Sequence, residues 1–330
     1  MSADPPGTDD VSIGTASRST AAPVDPVPDA ARVARERVRP LPYLMLAPAT
    51  VLLVVVLGYP IVRMISLSLQ RAKLRDLNRG TTAWNAGKNY RTILTDPYLW
   101  TVTLRTVVFA AVCVITTLVA GLAIALLLQR LGRAMRLVLS VGLLMAWATP
   151  ALTATQVWQW LFDTQFGVVN WALTSLGLEG FRNYSWLASP VSLLAVAAVI
   201  VVWGAIPFVC LTLFAGLTQI PGEIFEAAEL DGARGLKLLR QITLPLLAPI
   251  ITILVALSTI WDFRVFTQVF ILQKAGGITR DTDLLGIYAY RTSFAANDFG
   301  AGSAIGVLMV VLLLGFSVFY VRRMLEEVEA

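Results

Sequence analysis

No histidine occurs among the 330 residues, and the two cysteines, Cys113 and Cys210, both fall inside long apolar stretches. Imidazole-based metal sites and histidine general bases are therefore excluded, and the cysteines read as small core hydrophobes rather than as a disulfide framework. No cluster with metal-ligand spacing is present, and no Gly-x-x-x-x-Gly-Lys-Ser/Thr loop that could cradle a nucleotide phosphate. A membrane-embedded enzyme would need a nucleophile with a base beside it, and no such pair is visible. What remains is chemistry of binding. Trp261, Asp262, Arg264 and Gln268 stand in an otherwise apolar stretch. Charge inside a membrane span is costly, so it marks function by default. On one helix Trp261, Arg264 and Gln268 share a face through i+3 and i+4 spacing. An indole offers a stacking face, and a guanidinium and an amide offer hydrogen bonds, so the set suits a small polar ligand. Asp262 and Arg264 are about 200° apart around a helix and cannot pair with each other. The competing reading is that each pairs with another helix and holds a bundle together. Gln156 and Trp160, with Trp158 between them, form a second and weaker set. Their competing reading is an interfacial aromatic belt.

The elements that would position these residues are long and apolar. The chain is 57% hydrophobic and 14% charged. Soluble domains carry about 45–50% apolar and about 25% charged residues. A spanning helix needs about 20 apolar residues, at ~1.5 Å rise each, to cross ~30 Å of hydrocarbon. Six stretches meet that length, predicting helices at about 41–69, 104–128, 137–161, 191–217, 244–272 and 301–321. Barrel strands would be shorter and half polar. Residues 1–40, rich in Ala, Asp, Pro, Ser and Thr, read as a disordered cytoplasmic tail rather than a signal peptide. Residues 41–325 read as the transmembrane domain. Arg32, Arg35, Arg37 and Arg39 precede the first span and argue that the N-terminus is cytoplasmic, and six spans then put the C-terminus there too. The loop after the first span is also basic (Arg71, Lys73, Arg75, Arg79, Lys88, Arg91), so charge alone supports the orientation only in part. The net charge of +5 fits contact with anionic lipid headgroups better than with nucleic acid.

Between the fourth and fifth spans, residues 220–245 read as a helical hairpin. Glu223 and Glu226 complement the positive end of a short helix. Ala227 and Ala228 are strong helix formers of little bulk. Gly232 stands where a left-handed cap suits a residue without Cβ. A second helix is expected from about Ala233 to Pro245, with Leu236, Leu239 and Ile242 on one face.

Glu226-Ala-Ala-x-x-Asp231-Gly232-Ala233, followed after eight residues by Ile242-x-Leu-Pro245-x-x-x-Pro249, resembles the EAA loop of permeases of binding-protein-dependent ABC importers. Asn89-Tyr90, the run Ile271 to Gly277, the run Leu284 to Phe294, and Gly300-x-Gly302-Ser-Ala resemble segments of carbohydrate-type permeases of the maltose-permease kind, most of all the permeases of mycobacterial-type trehalose importers. Leu236 and Leu239 depart from the aromatics that relatives often carry there. The resemblance covers about residues 40–325. It implies an all-α integral membrane protein with the type I, six-transmembrane-helix importer permease fold, in a bacterial inner membrane. It also implies the partners: a second homologous permease in a heterodimer, two ATP-binding subunits, an extracytoplasmic sugar-binding protein, and a sugar substrate for which trehalose is a candidate. The chain itself would bind no cofactor and no metal, and ATP would be used by the partner subunits. Glu226, Ala227, Ala228, Asp231, Gly232, Ala233 and Pro245 are then the ATPase-coupling residues. A permease for another solute, or a secondary transporter, is the alternative. The secondary transporter would carry acids on several spans, where here one, Asp262, lies mid-span.

Overall fold

The computed structural model describes residues 41–329, and the expected N-terminal tail lies outside them. The described chain divides into two compact units at Val56 and Leu57. The first holds helix α1 (Leu41–Leu53), whose side chains from Met45 onward are mostly exposed apolar groups. A π-turn (Val54–Gly58) spans the division, and the second unit continues as α2 (Tyr59–Ser68). Then come α3 (Pro97–Arg130), α4 (Arg133–Trp147), α5 (Ala151–Leu161) and α6 (Pro190–Gln219). α7 (Gly222–Leu230), α8 (Leu244–Phe263), α9 (Thr267–Gly276) and α10 (Phe299–Glu329) follow. A two-residue antiparallel pair, β1 (Gln70–Arg71) and β2 (Ala83–Trp84), sits in the first loop.

Among the described residues five helical runs are long and apolar enough to cross a membrane, and six if the bent pair α4–α5 counts as one. The third span, expected unbroken over 137–161, bends by 101° between those two helices. Pro150 explains it. A residue before proline is pushed out of the α region, so α4 ends ahead of it. Pro150 then caps α5 with φ −59° and ψ 135°. The fifth span, expected unbroken over 244–272, is α8 and α9 with a break at Arg264–Phe266. No glycine or proline marks that break. Phe263 is buried with Ala110, Leu285 and Ile305, while Val265 is buried with Phe109, Cys113 and Leu272. The chain turns because two residues so close together serve different apolar clusters.

α6 packs along α3. Gly121 allows the approach: a Cβ there would lie 2.7 Å from Val209 Cγ1 and 3.3 Å from the Cys210 nitrogen. Small residues at such crossings are how membrane helices gain contact when lipid supplies no hydrophobic drive. Asn89 ties the first loop to α2, since its amide donates to the carbonyls of Ser68 at 2.8 Å and Gln70 at 2.9 Å. Tyr90 Oη lies 2.7 Å from Ser68 Oγ. The Asn89-Tyr90 pair thus latches the end of α2 to the loop.

Candidate functional site

The 220–245 segment is built from two glycine-dependent turns. α7 starts after Pro221 with Glu223 exposed in its first turn. It stops at Asp231, whose N–H donates to Ala227 O at 3.1 Å. Gly232 takes φ +79°, and the Ala233 N–H reaches back to Ala228 O at 2.9 Å. That is the left-handed cap expected for Gly232. Ala228 and Ala233 are buried, whereas Glu226, Ala227, Asp231 and Gly232 are exposed. Leu230 and Leu236 are 90% and 77% exposed.

The second helix differs from expectation at both ends. It begins at Leu236, not Ala233, because Gly235 lies at φ +56°, ψ −121°. Those are the angles of the first central residue of a type II′ turn, closed by Lys237 N–H donating to Arg234 O at 3.1 Å. Nor does the helix stop at Pro245. A π-turn over Leu239–Thr243 leads straight into α8. The widened turn accommodates a proline that can neither donate an N–H nor let its ring sit against the preceding turn. The second arm of the hairpin, from Leu236, is therefore continuous with the fifth span.

The far end of α8 carries the mid-span residues. Trp261 is 43% exposed, with its ring edge-on to Phe208 of α6 at 5.1 Å between centroids. Asp262 is buried, and its Oδ2 has no hydrogen-bond partner. Arg264 occupies the break, its N–H donating to Trp261 O at 3.2 Å. Its side chain is exposed and makes no ion pair among the described residues. Gln268 lies on α9, half-buried. The break removes the continuous helical face on which Trp261, Arg264 and Gln268 were expected to align. What it leaves is an exposed indole on α8, an exposed guanidinium in the break and an amide on α9. Neither charge finds a stabilising ion pair on another helix among the described residues.

Gln156 and Trp160 lie on α5 past the bend, both exposed. Trp158 belongs to the core instead: it stacks on Phe162 at 6.0 Å and meets Trp203 edge-on at 5.8 Å.

One cluster goes beyond the expectations from sequence. Asp283 is buried and accepts from Tyr98 Oη at 2.9 Å and from Gln273 Nε2 at 3.2 Å. Arg291 Nη1 pairs with Asp283 Oδ1 at 3.2 Å, and Arg291 Nη2 donates to Gln273 Oε1 at 2.8 Å. Arg105 Nη1 donates to the Asp283 carbonyl at 3.1 Å. Burial pushes the Asp283 carboxyl above its ordinary value, against the pull of Tyr98, Arg291, Gln273 and Arg105. The eight-residue spacing of Asp283 and Arg291 is a usable signal, but Tyr98 is 185 residues from Asp283. No local pattern links those two.

Residues 117–327 match the family model of the binding-protein-dependent transport system inner membrane component. The chain is 43% identical over 288 residues to the diacetylchitobiose uptake system permease protein DasB of Streptomyces coelicolor, covering 87% of this chain and 88% of that one. It is 31% identical to the trehalose transport system permease protein SugA of Mycobacterium tuberculosis, covering 82% of this chain and 84% of that one. In fold it resembles a chain of a crystallised bacterial ABC transporter involved in the import of the acidic polysaccharide alginate. That likeness has a TM-score of 0.72 at 19% identity and covers 87% of this chain and 95% of the other.

Proposed function

Because the chain belongs to the family of binding-protein-dependent transport system inner membrane components, we propose that it forms half of the translocation pathway of an ATP-driven importer for a neutral disaccharide. The observation that carries this reading is the hairpin. Two glycine turns present α7 with Leu230 and Leu236 uncovered, and the helix behind it runs unbroken into the span that carries Trp261. An exposed short helix with apolar tips suits a groove on a partner. The partners are two cytoplasmic ATP-binding subunits at the hairpin, a second permease alongside, and an external sugar-binding protein. The termini face the cytoplasm, in a bacterial inner membrane. ATP is hydrolysed by the partner subunits, and this chain supplies the coupling element.

The mid-span residues give the sugar its path. Trp261 offers a stacking face, and Arg264 offers unpaired donors beside it. Asp262 in the same turn is buried and stands behind this face rather than on it. Support for a disaccharide comes from relatives whose names specify diacetylchitobiose and trehalose. The higher identity lies with the diacetylchitobiose protein, so trehalose is one candidate within the class.

Reconstitution in vesicles tests the reading. The assembly of this chain with its second permease, ATP-binding subunits and binding protein should hydrolyse ATP faster when a cognate disaccharide is present, and should accumulate it. This chain alone should hydrolyse nothing. Hydrolysis by the isolated polypeptide, or an assembly that moves an amino acid but no sugar from a disaccharide panel, overturns it.

A further inference from the structure

A pocket of about 560 Å³ lies where the last turn of α5 faces residues 185–188 and the end of α9. Gln156, Gln159, Trp160, Asp163 and Ser185 line it. Its location follows from the chain path: α9 lies beyond α8, so its end is on the side of the bundle opposite the hairpin. The walls are fixed. Gly276 approaches the Leu187 carbonyl so closely that a Cβ would overlap it. Phe162 meets Trp186 edge-on at 5.3 Å behind the pocket.

The lining chemistry is specific. Gln156 and Gln159 are three residues apart on one helical face, and neither side-chain amide makes a hydrogen bond among the described residues. Trp160 is 61% exposed. Asp163 is the one charged side chain in the lining. Its Oδ1 accepts from the N–H groups of Gln165 and Phe166, each at 2.9 Å, and these bonds hold the carboxyl below its ordinary value. It therefore stays an acceptor with a standing negative charge.

We propose that this pocket is a second saccharide station at the outer mouth of the pathway, taking one or two pyranose units of a neutral, hydroxyl-rich sugar. The inference rests on the sugar-importer reading above and adds a site separate from the Trp261 region. An indole face stacks on the apolar side of a pyranose. Two free amides bond adjacent hydroxyls, each as donor and acceptor. A carboxylate accepts from another hydroxyl. Among the described residues no cation lines the pocket, so an acidic sugar would meet only repulsion. The volume lies within the range of about 300–1,000 Å³ that small-molecule pockets occupy.

The test uses the full assembly in vesicles with Ser185→Cys as a reporter. Cys113 and Cys210 are buried and free, so an impermeant maleimide added outside reads the new thiol. Diacetylchitobiose or trehalose, whichever is transported, should slow labelling at least three-fold, while a uronate disaccharide should not. Adding Trp160→Ala should abolish the protection. In the absence of the reporter, Trp160→Ala and Gln159→Ala should each raise the KM for uptake five-fold or more. That rise should exceed any fall in maximal rate. If the sugar is transported with no protection and unchanged KM in both variants, the pocket is not a station, and the importer reading stands. If the intact assembly transports no sugar, both fall together.

Discussion

Gly232 and Gly235 stand three residues apart in the hairpin, both at positive φ, and yet they differ in what they tolerate. Neither has a neighbour within 4 Å of where a Cβ would stand. Backbone strain alone decides the outcome. Gly232 at φ +79° lies in the left-handed region that Asn also visits. Gly235, at φ +56° and ψ −121°, occupies a type II′ position that side chains other than glycine's reach only under strain. Gly232→Asn should therefore leave uptake near wild type, while Gly235→Ala should cost about 1–3 kcal/mol of local strain and re-aim α7. Gly232→Val, with a β-branched side chain, should fall between them. Uptake and the fraction of ATP-binding subunits retained on purification measure this order. Equal retention by Gly235→Ala and Gly232→Asn would remove the turn from the coupling element. Glu226, Ala227 and Asp231 are exposed around this turn and available to a partner. Ala228 and Ala233 are buried, and the Ala233 N–H donates to the Ala228 carbonyl to close the end of α7.

At the scale of elements, the Asp283 cluster joins the start of α3 to α9 and to the 283–291 segment ahead of α10. Thr106 Oγ1 adds a further tie, accepting the Leu285 N–H at 2.9 Å. The cluster titrates in a definite direction. Burial raises the folded carboxyl above the unfolded value of about 3.9, so the folded protein holds this proton to higher pH. The corresponding stability is fully present below the unfolded pKa and is lost as pH rises through the raised folded pKa. Asp283→Asn keeps the shape and removes the titration. Thermal unfolding of the detergent-solubilised protein from pH 4 to 7 should show wild type losing stability across that window relative to the variant. Parallel curves for the two proteins would show that the carboxyl is ordinary. The bend at Pro150 and the break at Arg264 matter at this scale as well. Each turns a helix inside an apolar stretch, and each lies next to candidate sugar contacts. The bend redirects α5 so that Trp160 lines the pocket beside Ser185, and the break exposes Arg264.

At the scale of the whole molecule, the proposal requires the hairpin and the end of α9 to face opposite sides of the membrane. α8 alone, at 20 residues, is about 30 Å long, the thickness of the hydrocarbon core. Leu230 and Thr279 are both exposed and stand at the two ends. Single cysteines at Leu230 and Thr279 should label from opposite faces of intact cells, Thr279→Cys from outside and Leu230→Cys only after permeabilisation. Labelling of both from outside would invert or abolish the topology. Ala233 and Thr282 are poorer reporters because both are buried.

Length and hydropathy in the sequence sufficed for the membrane class and for five to six candidate spans, though not for the bend in the third or the break in the fifth, because a bilayer imposes a length of apolar chain that no other environment demands. The Glu226–Ala233 motif and its spacing to Pro245 sufficed for the family, and Gly232 could be assigned its left-handed cap, since that signal lies within a few residues. Gly235 carries a local signal too, but the helix expected from Ala233 runs straight over it. Other features depended on residues far apart in the chain. The break after Phe263 has no glycine or proline to announce it, and arises because Phe263 and Val265 are buried in clusters built from different helices. Asp283 finds Tyr98 across 185 residues. The pocket beside Ser185 gathers Gln159, Ser185 and the end of α9 only once Pro150 has bent the third span and Gly276 has come against Leu187. Periodicity reports the environment of a single helix, whereas these sites depend on which helices meet, and that was decided by packing in the tertiary structure.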